Sequence, residues 1–526
     1  MRALLFMLIF LTACDKTPTK SELKTLKINI CSDPQTLDSR KARYLGDINV
    51  SKMLMEGLTR VNQQGVPEAA LAERIVVSSD RKTYTFILKD AQWTNNTPVT
   101  ASDFVYAWKK ILSPQFMAPN APLLYPIKNA EGVKSGLLPP SMLGVQAVDA
   151  KTLIITLSQP TPYFLDLLSH PIFFPIHAKV DETTPDWMLS PETYVSCGPF
   201  KLAAWTHDDL LLVEKNPSYW DAKHVKLDQI QMIMVDTATE MHLFKTKELD
   251  WAGSPFSYIP VDEMTQLTDL QALYQKPALG TAFLRTNTLE APFNSPNMRK
   301  AFALAINRKE LVEHLTQGSQ LPATGLVPPS MGLLETSYFP DGATETALEL
   351  FQSELTRLKI SKDQLPSITL KYVSSVRTHQ MMQAIQQQWE TTFGIRVNLM
   401  AVENKVLFSD ISSKNYQLAV GSWVADVNDP VNFLEVFRTC KSSTNNTAWE
   451  NKEYVKALDA SYACTNPEER RLLLSESEKI IMEDMPIIPL YHMTLLYSKQ
   501  NSVVNAVISP MGLIDFKWAN LEETHE

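Results

Sequence analysis

The sequence predicts an α/β protein built on a mainly parallel sheet and divided into two or three domains. Two observations carry that expectation. The second half alternates segments of helical period with short strands of period two, the order that wraps helices around a parallel sheet. At 526 residues the chain is also too long for a single core. A third observation bounds the class: 44% hydrophobic and 20% charged residues are the proportions of an ordinary globular protein, which excludes extensive disorder. The formal net charge of -9 and the absence of a Lys/Arg run argue against a nucleic-acid partner.

The first residues form a targeting signal. Arg2 supplies a positive start, Ala3 to Leu11 an apolar core too short to span a bilayer, and Leu11-Thr12-Ala13-Cys14 its end. Thr17 to Thr25 is polar and serves as a tether. Leu26 to Cys31 alternates as a strand and leads into a turn at Ser32-Asp33-Pro34. Val50 to Leu58 has helical spacing and ends at Gly57, and Tyr84 to Leu88 alternates again. Asn95-Asn96 turns the chain, and Thr100 with Asp103 has the spacing of a capping box. Thr152 to Leu157 is a further strand.

Past the midpoint, Ser295 and Pro296 open a helix expected to run to Gln317 and stop at Gly318. Thr378 to Phe393 is amphipathic and ends at Gly394, and Ile395 to Met400 alternates as a strand. Asn466 caps a helix begun by Pro467, with Glu468 and Glu469 complementing the dipole of its first turn. No internal repeat or low-complexity tract interrupts this order.

One stretch stands apart. After an expected strand from Tyr416 to Val420 comes Gly421-Ser422-Trp423-Val424-Ala425-Asp426-Val427-Asn428-Asp429-Pro430. Pro430 lacks a backbone donor and pushes Asp429 from helical angles, so the whole stretch is expected to be irregular. It presents an aromatic ring and carboxylates on a loop held by a rigid neighbour, as binding residues often are. The alternative is an Asx-rich turn whose side chains bond their own backbone.

The motifs of common chemistry are missing. No G-x-S-x-G, H-E-x-x-H, G-x-G-x-x-G or G-x-x-x-x-G-K occurs, and the nine histidines include no i, i+4 pair. With no nucleophile beside a visible base, the chain is not expected to be an enzyme, nor to hold a metal or cofactor. Apart from Cys14, the cysteines are Cys31, Cys197, Cys440 and Cys464, and no C-x-x-C occurs. An even number in an exported chain allows pairing in three ways. Cys440 with Cys464 would close a local loop, and Cys31 with Cys197 would join distant segments; free thiols are the alternative.

Several spaced segments resemble one known family. Leu11-Thr12-Ala13-Cys14 is similar to a bacterial lipobox, in which Cys14 becomes a lipidated N-terminus. Asp33-Pro34-Gln35-Thr36-Leu37-Asp38, the run Tyr84 to Trp108, Ser196-Cys197-Gly198-Pro199-Phe200, Asn216-Pro217-Ser218-Tyr219-Trp220 and the run Asn297 to Arg308 resemble landmarks of the family 5 extracellular solute-binding proteins of ABC importers. They occur in that family's order across nearly the whole mature chain, with the oligopeptide receptors nearest in pattern.

The resemblance implies a two-lobed periplasmic binding protein (class II-like, cluster C) with an additional third domain. The implied divisions are a signal peptide at 1–14, domain I at 15–57, 180–285 and 497–526, domain II at 58–179, and domain III at 286–496. It implies a lipid-anchored monomer in the periplasm or on the outer face of the cytoplasmic membrane, passing short peptides to an ABC permease and its ATPase subunits. Asp426 falls where such receptors accept the ligand's α-ammonium group, with Trp423 shielding that ion pair. Backbone from Gly421 through Ser422 and Trp423 to Val424 would pair with an extended ligand. Leu45, in the loop from Ala42 to Asp47, aligns with another ligand-contacting segment, and Arg43 falls where some relatives carry an acid near the ligand's first side chain.

Departures are equally specific. Arginines that meet the peptide C-terminus in some relatives align with Ile411 and Val420, and a histidine aligns near Thr378. Arg377, His379, Lys405 and Lys414 are the nearby basic alternatives, each also readable as a solvated surface residue. Two cysteines paired in some relatives align with Gly280 and Val424. Alternative ligands on the same scaffold are a murein peptide, a dipeptide, or a nickel or haem complex; a surface lipoprotein without transport is the rival from another class.

Overall fold

The structure is a computed structural model that describes residues 23–317, 320–334, 336–442 and 444–522. The signal segment and Cys14 lie outside the described residues, as does Gly318. An eleven-stranded mixed sheet runs through the molecule. Its order is Val397–Val402, Ile368–Val373, Leu418–Val424, Leu273–Thr286, Ile487–Lys499, Trp251–Gly253, Thr25–Asn29, Gln229–Ile233, Leu210–Lys215 and Phe200–Thr206, with Leu321–Pro322 added to Ile487–Lys499. Antiparallel pairs outnumber parallel ones, which corrects the expected mainly parallel sheet. Parallel pairing is confined to two places, around Ile368–Val373 and around Thr25–Asn29. Between them, Leu273–Thr286 and Ile487–Lys499 run antiparallel to each other and join the two halves. The expected borders at 285/286 and 496/497 fall within these two strands.

The first half of the sheet shares one core with a third region. There, Ala72–Val77, Thr83–Leu88, Thr152–Thr156 and Val145–Ala147 form a separate antiparallel sheet. Helix Ala101–Ile111 covers it, opened by the Thr100–Asp103 capping box. Leu26, Ile28, Phe86, Trp108 and Phe173 belong to one continuous apolar cluster, so this region packs on the first lobe. The second lobe has its own core, where helix Val376–Phe393 buries Met381, Met382, Ile385, Trp389 and Phe393 against Leu370 and Phe302. Each large side chain so buried contributes roughly 1.5–3 kcal/mol. Trp389 also donates its ring N–H to the Phe302 carbonyl at 2.8 Å, so its polar atom costs nothing on burial.

Local signals succeed at helix ends and fail at helix lengths. Asn466 accepts from the backbone N–H of Glu468 and Glu469 to start Pro467–Asp484, and Gly394, at φ 62°, ends Val376–Phe393. The helix opened by Ser295 and Pro296 stops at Leu304 instead of Gln317. Asn307 starts a new turn there by accepting from Glu310 N–H, while Asp341 pairs with Arg308. The first helix spans Leu45–Leu54, earlier than the expected Val50 to Leu58, because Tyr44 and Asp47 close its N-terminus.

All four described cysteines are free, so neither expected disulfide forms. Cys197 is buried beside the Glu56 carbonyl, and Cys31 takes a hydrogen bond from Asn29. Cys440 lies against Glu450 while Cys464 bonds the Asn466 carbonyl. Each thiol has its own local partner.

Candidate ligand-binding site

Leu418–Val424 holds the site, and its partner strand fixes its extent. Leu273–Thr286 pairs with it throughout, with Thr281 opposite Trp423 and Phe283 opposite Gly421. That pairing draws Gly421, Ser422, Trp423 and Val424 into the strand, which corrects the expected irregular loop; tertiary pairing overrides local propensity here. Gly280 stands directly opposite Val424, so the positions aligned with paired cysteines are cross-strand neighbours.

The other edge of this strand is open. In an antiparallel ladder, alternate residues turn both backbone polar groups toward the partner. The bonds Asn287 N to Gln417 O and Ala425 N to Leu279 O put the odd-numbered residues on the paired side. Ser422 and Val424 therefore turn N–H and C=O outward, and the Val420 carbonyl faces outward with them. On that side Ile368–Val373 pairs only with Leu418 and Ala419. Beyond Val420, no backbone among the described residues pairs with the edge.

The chain then turns, and two side chains set the turn. Buried Asp429 makes a two-pronged ion pair with Arg470, at 2.8 and 2.9 Å, and accepts from Val431 N–H at 3.0 Å. Asp429 is thus a structural carboxylate. Asn432 accepts from the Trp423 ring N–H at 3.0 Å and from Asp426 N–H at 3.2 Å. Its amide also lies beside the Asp426 carboxylate and favours that group's charged form. One asparagine thereby locks the ring and the acid to each other.

Asp426 lines a cavity of about 610 Å³ between the third region and the second lobe. Tyr125, Ser158 and Tyr163 form one wall; Trp423, Glu435 and Thr444 contribute to the other. The Asp426 side chain is open to water, yet the walls around it are dense, because it opens into a cleft rather than onto the outer surface. Desolvation by those walls pushes its carboxyl above the usual range, and the Asn432 amide offsets part of the rise. Among the described residues it has no ion-pair partner. A larger cavity, about 690 Å³, lies on the outer side of the third region beside Tyr106 and Lys109, away from this acid.

The walls also touch. Asn428 N–H donates to Asp166 across the gap at 3.0 Å, and Val427 is buried in the first-lobe core. Asn432, Tyr163 and Asp166 were not singled out by sequence. An asparagine two residues past Pro430 was the available signal for the first; the others come from a distant segment that no local pattern connects to the loop.

The remaining expected residues are not in the cavity lining. Leu45 is the first residue of its helix and packs on the same apolar cluster as Trp423. Arg43 is exposed and lies over the Tyr44 ring at 5.8 Å. Arg377 donates to the Thr316 carbonyl at 3.4 Å, and His379 bonds the Tyr372 hydroxyl, both at the start of Val376–Phe393. No helix among the described residues is long and apolar enough to cross a membrane, and no group of side chains there has the makings of a metal site.

Two lobes joined by long strands, with a cleft beside an open edge, define a solute-binding architecture. Residues 66–445 match the family model "Bacterial extracellular solute-binding proteins, family 5 Middle", and the chain belongs to that family. It is 37% identical to the oligopeptide-binding protein OppA of Bacillus subtilis over 94% of this chain and 92% of that protein. Against the dipeptide-binding protein DppE of the same organism it is 36% identical over 96% and 93%. Among solved structures, Haemophilus influenzae OppA in complex with RPPGFSPFR matches with a TM-score of 0.79 at 27% identity, covering 95% of this chain and 99% of that one. The fold is that of the periplasmic peptide-binding proteins.

Proposed function

We propose that this protein captures short peptides in the cleft, by ion pairing of their α-ammonium group with Asp426 and by backbone pairing along Ser422 and Val424. The observation that carries the reading is the accessible, desolvated and unpaired Asp426 carboxylate at the end of an open strand edge. The α-amine is the one cation common to nearly all linear peptides, so a fixed acid sets the same register for any sequence. Hydrogen bonds to charged groups contribute roughly 1.5–3 kcal/mol each. Relatives named for oligopeptide and dipeptide binding support the ligand class.

The rest of the reading follows that class. Cys14 carries a lipid that anchors the protein outside the cytoplasmic membrane, and the closed, loaded monomer hands its peptide to an ABC permease. The protein binds without catalysis, and ATP hydrolysis belongs to the partner complex. Mass spectrometry of ligand carried through purification tests the proposal: peptides with free N-termini are expected. Recovery solely of non-peptide ligands, or of N-blocked peptides, would overturn it.

A further inference from the structure

Arg285 stands beside the open strand edge, and no carboxylate among the described residues pairs with it. It sits on Leu273–Thr286, and its guanidinium lies 5.1 Å from the centroid of the Phe283 ring on the same face. From there it crosses over Gly421: a Cβ at that position would fall 1.7 Å from Nη1 and 2.5 Å from Cζ. Only a residue without a side chain leaves room for the crossing. On the far side Nη1 donates to the Val420 carbonyl at 3.3 Å, one of the groups that face the open edge. The sheet thus delivers a guanidinium from one strand, across the next, to the edge where the ligand is placed.

The group is half-buried, and among the described residues it has no ion-pair partner. Burial lowers its pKa, though a guanidinium stays charged. A fork of five donors with one carbonyl for a partner has capacity to spare, and a partly desolvated charge of this kind is stabilised by an arriving anion.

Register says where that anion sits. A peptide with its amine at Asp426 and its backbone along Val424 and Ser422 runs antiparallel to the strand, toward Val420. At about 3.3 Å per residue, roughly its third or fourth residue comes level with the guanidinium. We propose that Arg285 receives a ligand carboxylate roughly three or four residues from the α-amine. The inference rests on the peptide reading above. The carboxylate is either the C-terminus of a short peptide or an acidic side chain at that position.

Calorimetry with four probes separates the cases: Ala-Ala-Ala as free acid and as C-terminal amide, and Ala-Ala-Glu-amide beside Ala-Ala-Gln-amide. Binding of any amide by the wild-type protein reports the peptide reading alone, and a protein that binds none of the four fails that reading and this inference with it. The free acid is expected to bind at least about tenfold tighter than its amide. That gap should close in Arg285→Gln and in Gly421→Ala, whose added methyl evicts the guanidinium. If instead the Glu/Gln pair shows the gap and Arg285→Gln closes it, the proposal holds with a side-chain carboxylate as the source. A gap in neither pair, or one that survives in Arg285→Gln, overturns it. Thermal unfolding checks each variant, and Gly421→Ala carries the test if Arg285→Gln does not fold.

Discussion

Asp426 differs from Asp429, three residues away, in one respect that matters. Asp429 has its cation built in, whereas Asp426 is desolvated without one. Replacing Asp426 by Asn keeps the shape and removes the charge, so it should weaken tripeptide binding by about 2–5 kcal/mol in calorimetry while leaving the unfolding midpoint in place. The pH dependence has a definite sign. The empty site's carboxyl titrates above the ordinary range and must be ionised to pair with an ammonium, so affinity should fall as pH drops through that raised value. It should fall again above about pH 8, where the peptide amine loses its proton. Asp426→Asn should flatten both limbs, since the ion pair they report is gone. Asp426 and Trp423 were legible from the loop's composition and its resemblance to a family. Asn432 was not, because its role is to bond two residues whose proximity only folding creates.

The element that positions them is a strand followed by a pinned turn. Arg470, on Pro467–Asp484, holds the turn through Asp429, and both side chains are largely buried. Arg470→Met strands that carboxylate and should cost about 3–5 kcal/mol in urea unfolding. Asn432→Ala should instead spare stability for the most part and weaken peptide binding about tenfold, since it frees Trp423 and Asp426 from each other. Caps were readable at this scale: Thr100, Ser295, Asn466 and Gly394 each act within a few residues of themselves. Lengths were not. The strand continues through Val424 because Gly280 to Phe283 lies alongside it, and the helix after Ser295 breaks because Asn307 and Asp341 offer a better-bonded start.

At the scale of the molecule, two long strands join the lobes, and a few contacts bridge the cleft between the second lobe and the third region packed on the first. The Asn428 to Asp166 hydrogen bond is one such contact. Closure over a peptide should compact the protein, seen as a fall in its radius of gyration by small-angle scattering. Asp166→Ala should speed ligand release several-fold, because most affinity changes of this kind appear in the off-rate. The sequence showed an α/β chain of several domains, but the sheet's mixed direction was hidden. A strand such as Leu273–Thr286, serving both lobes, carries no local mark of the partners it will have.

The central claim is that one acid recognises a peptide's free α-amine. Calorimetry of Ala-Ala-Ala and N-acetyl-Ala-Ala-Ala, on wild type and on Asp426→Asn, tests it as a cycle. Acetylation should cost wild type at least about tenfold in affinity and the variant almost nothing. Equal binding of both peptides by wild type, or an undiminished acetylation penalty in the variant, would contradict the account.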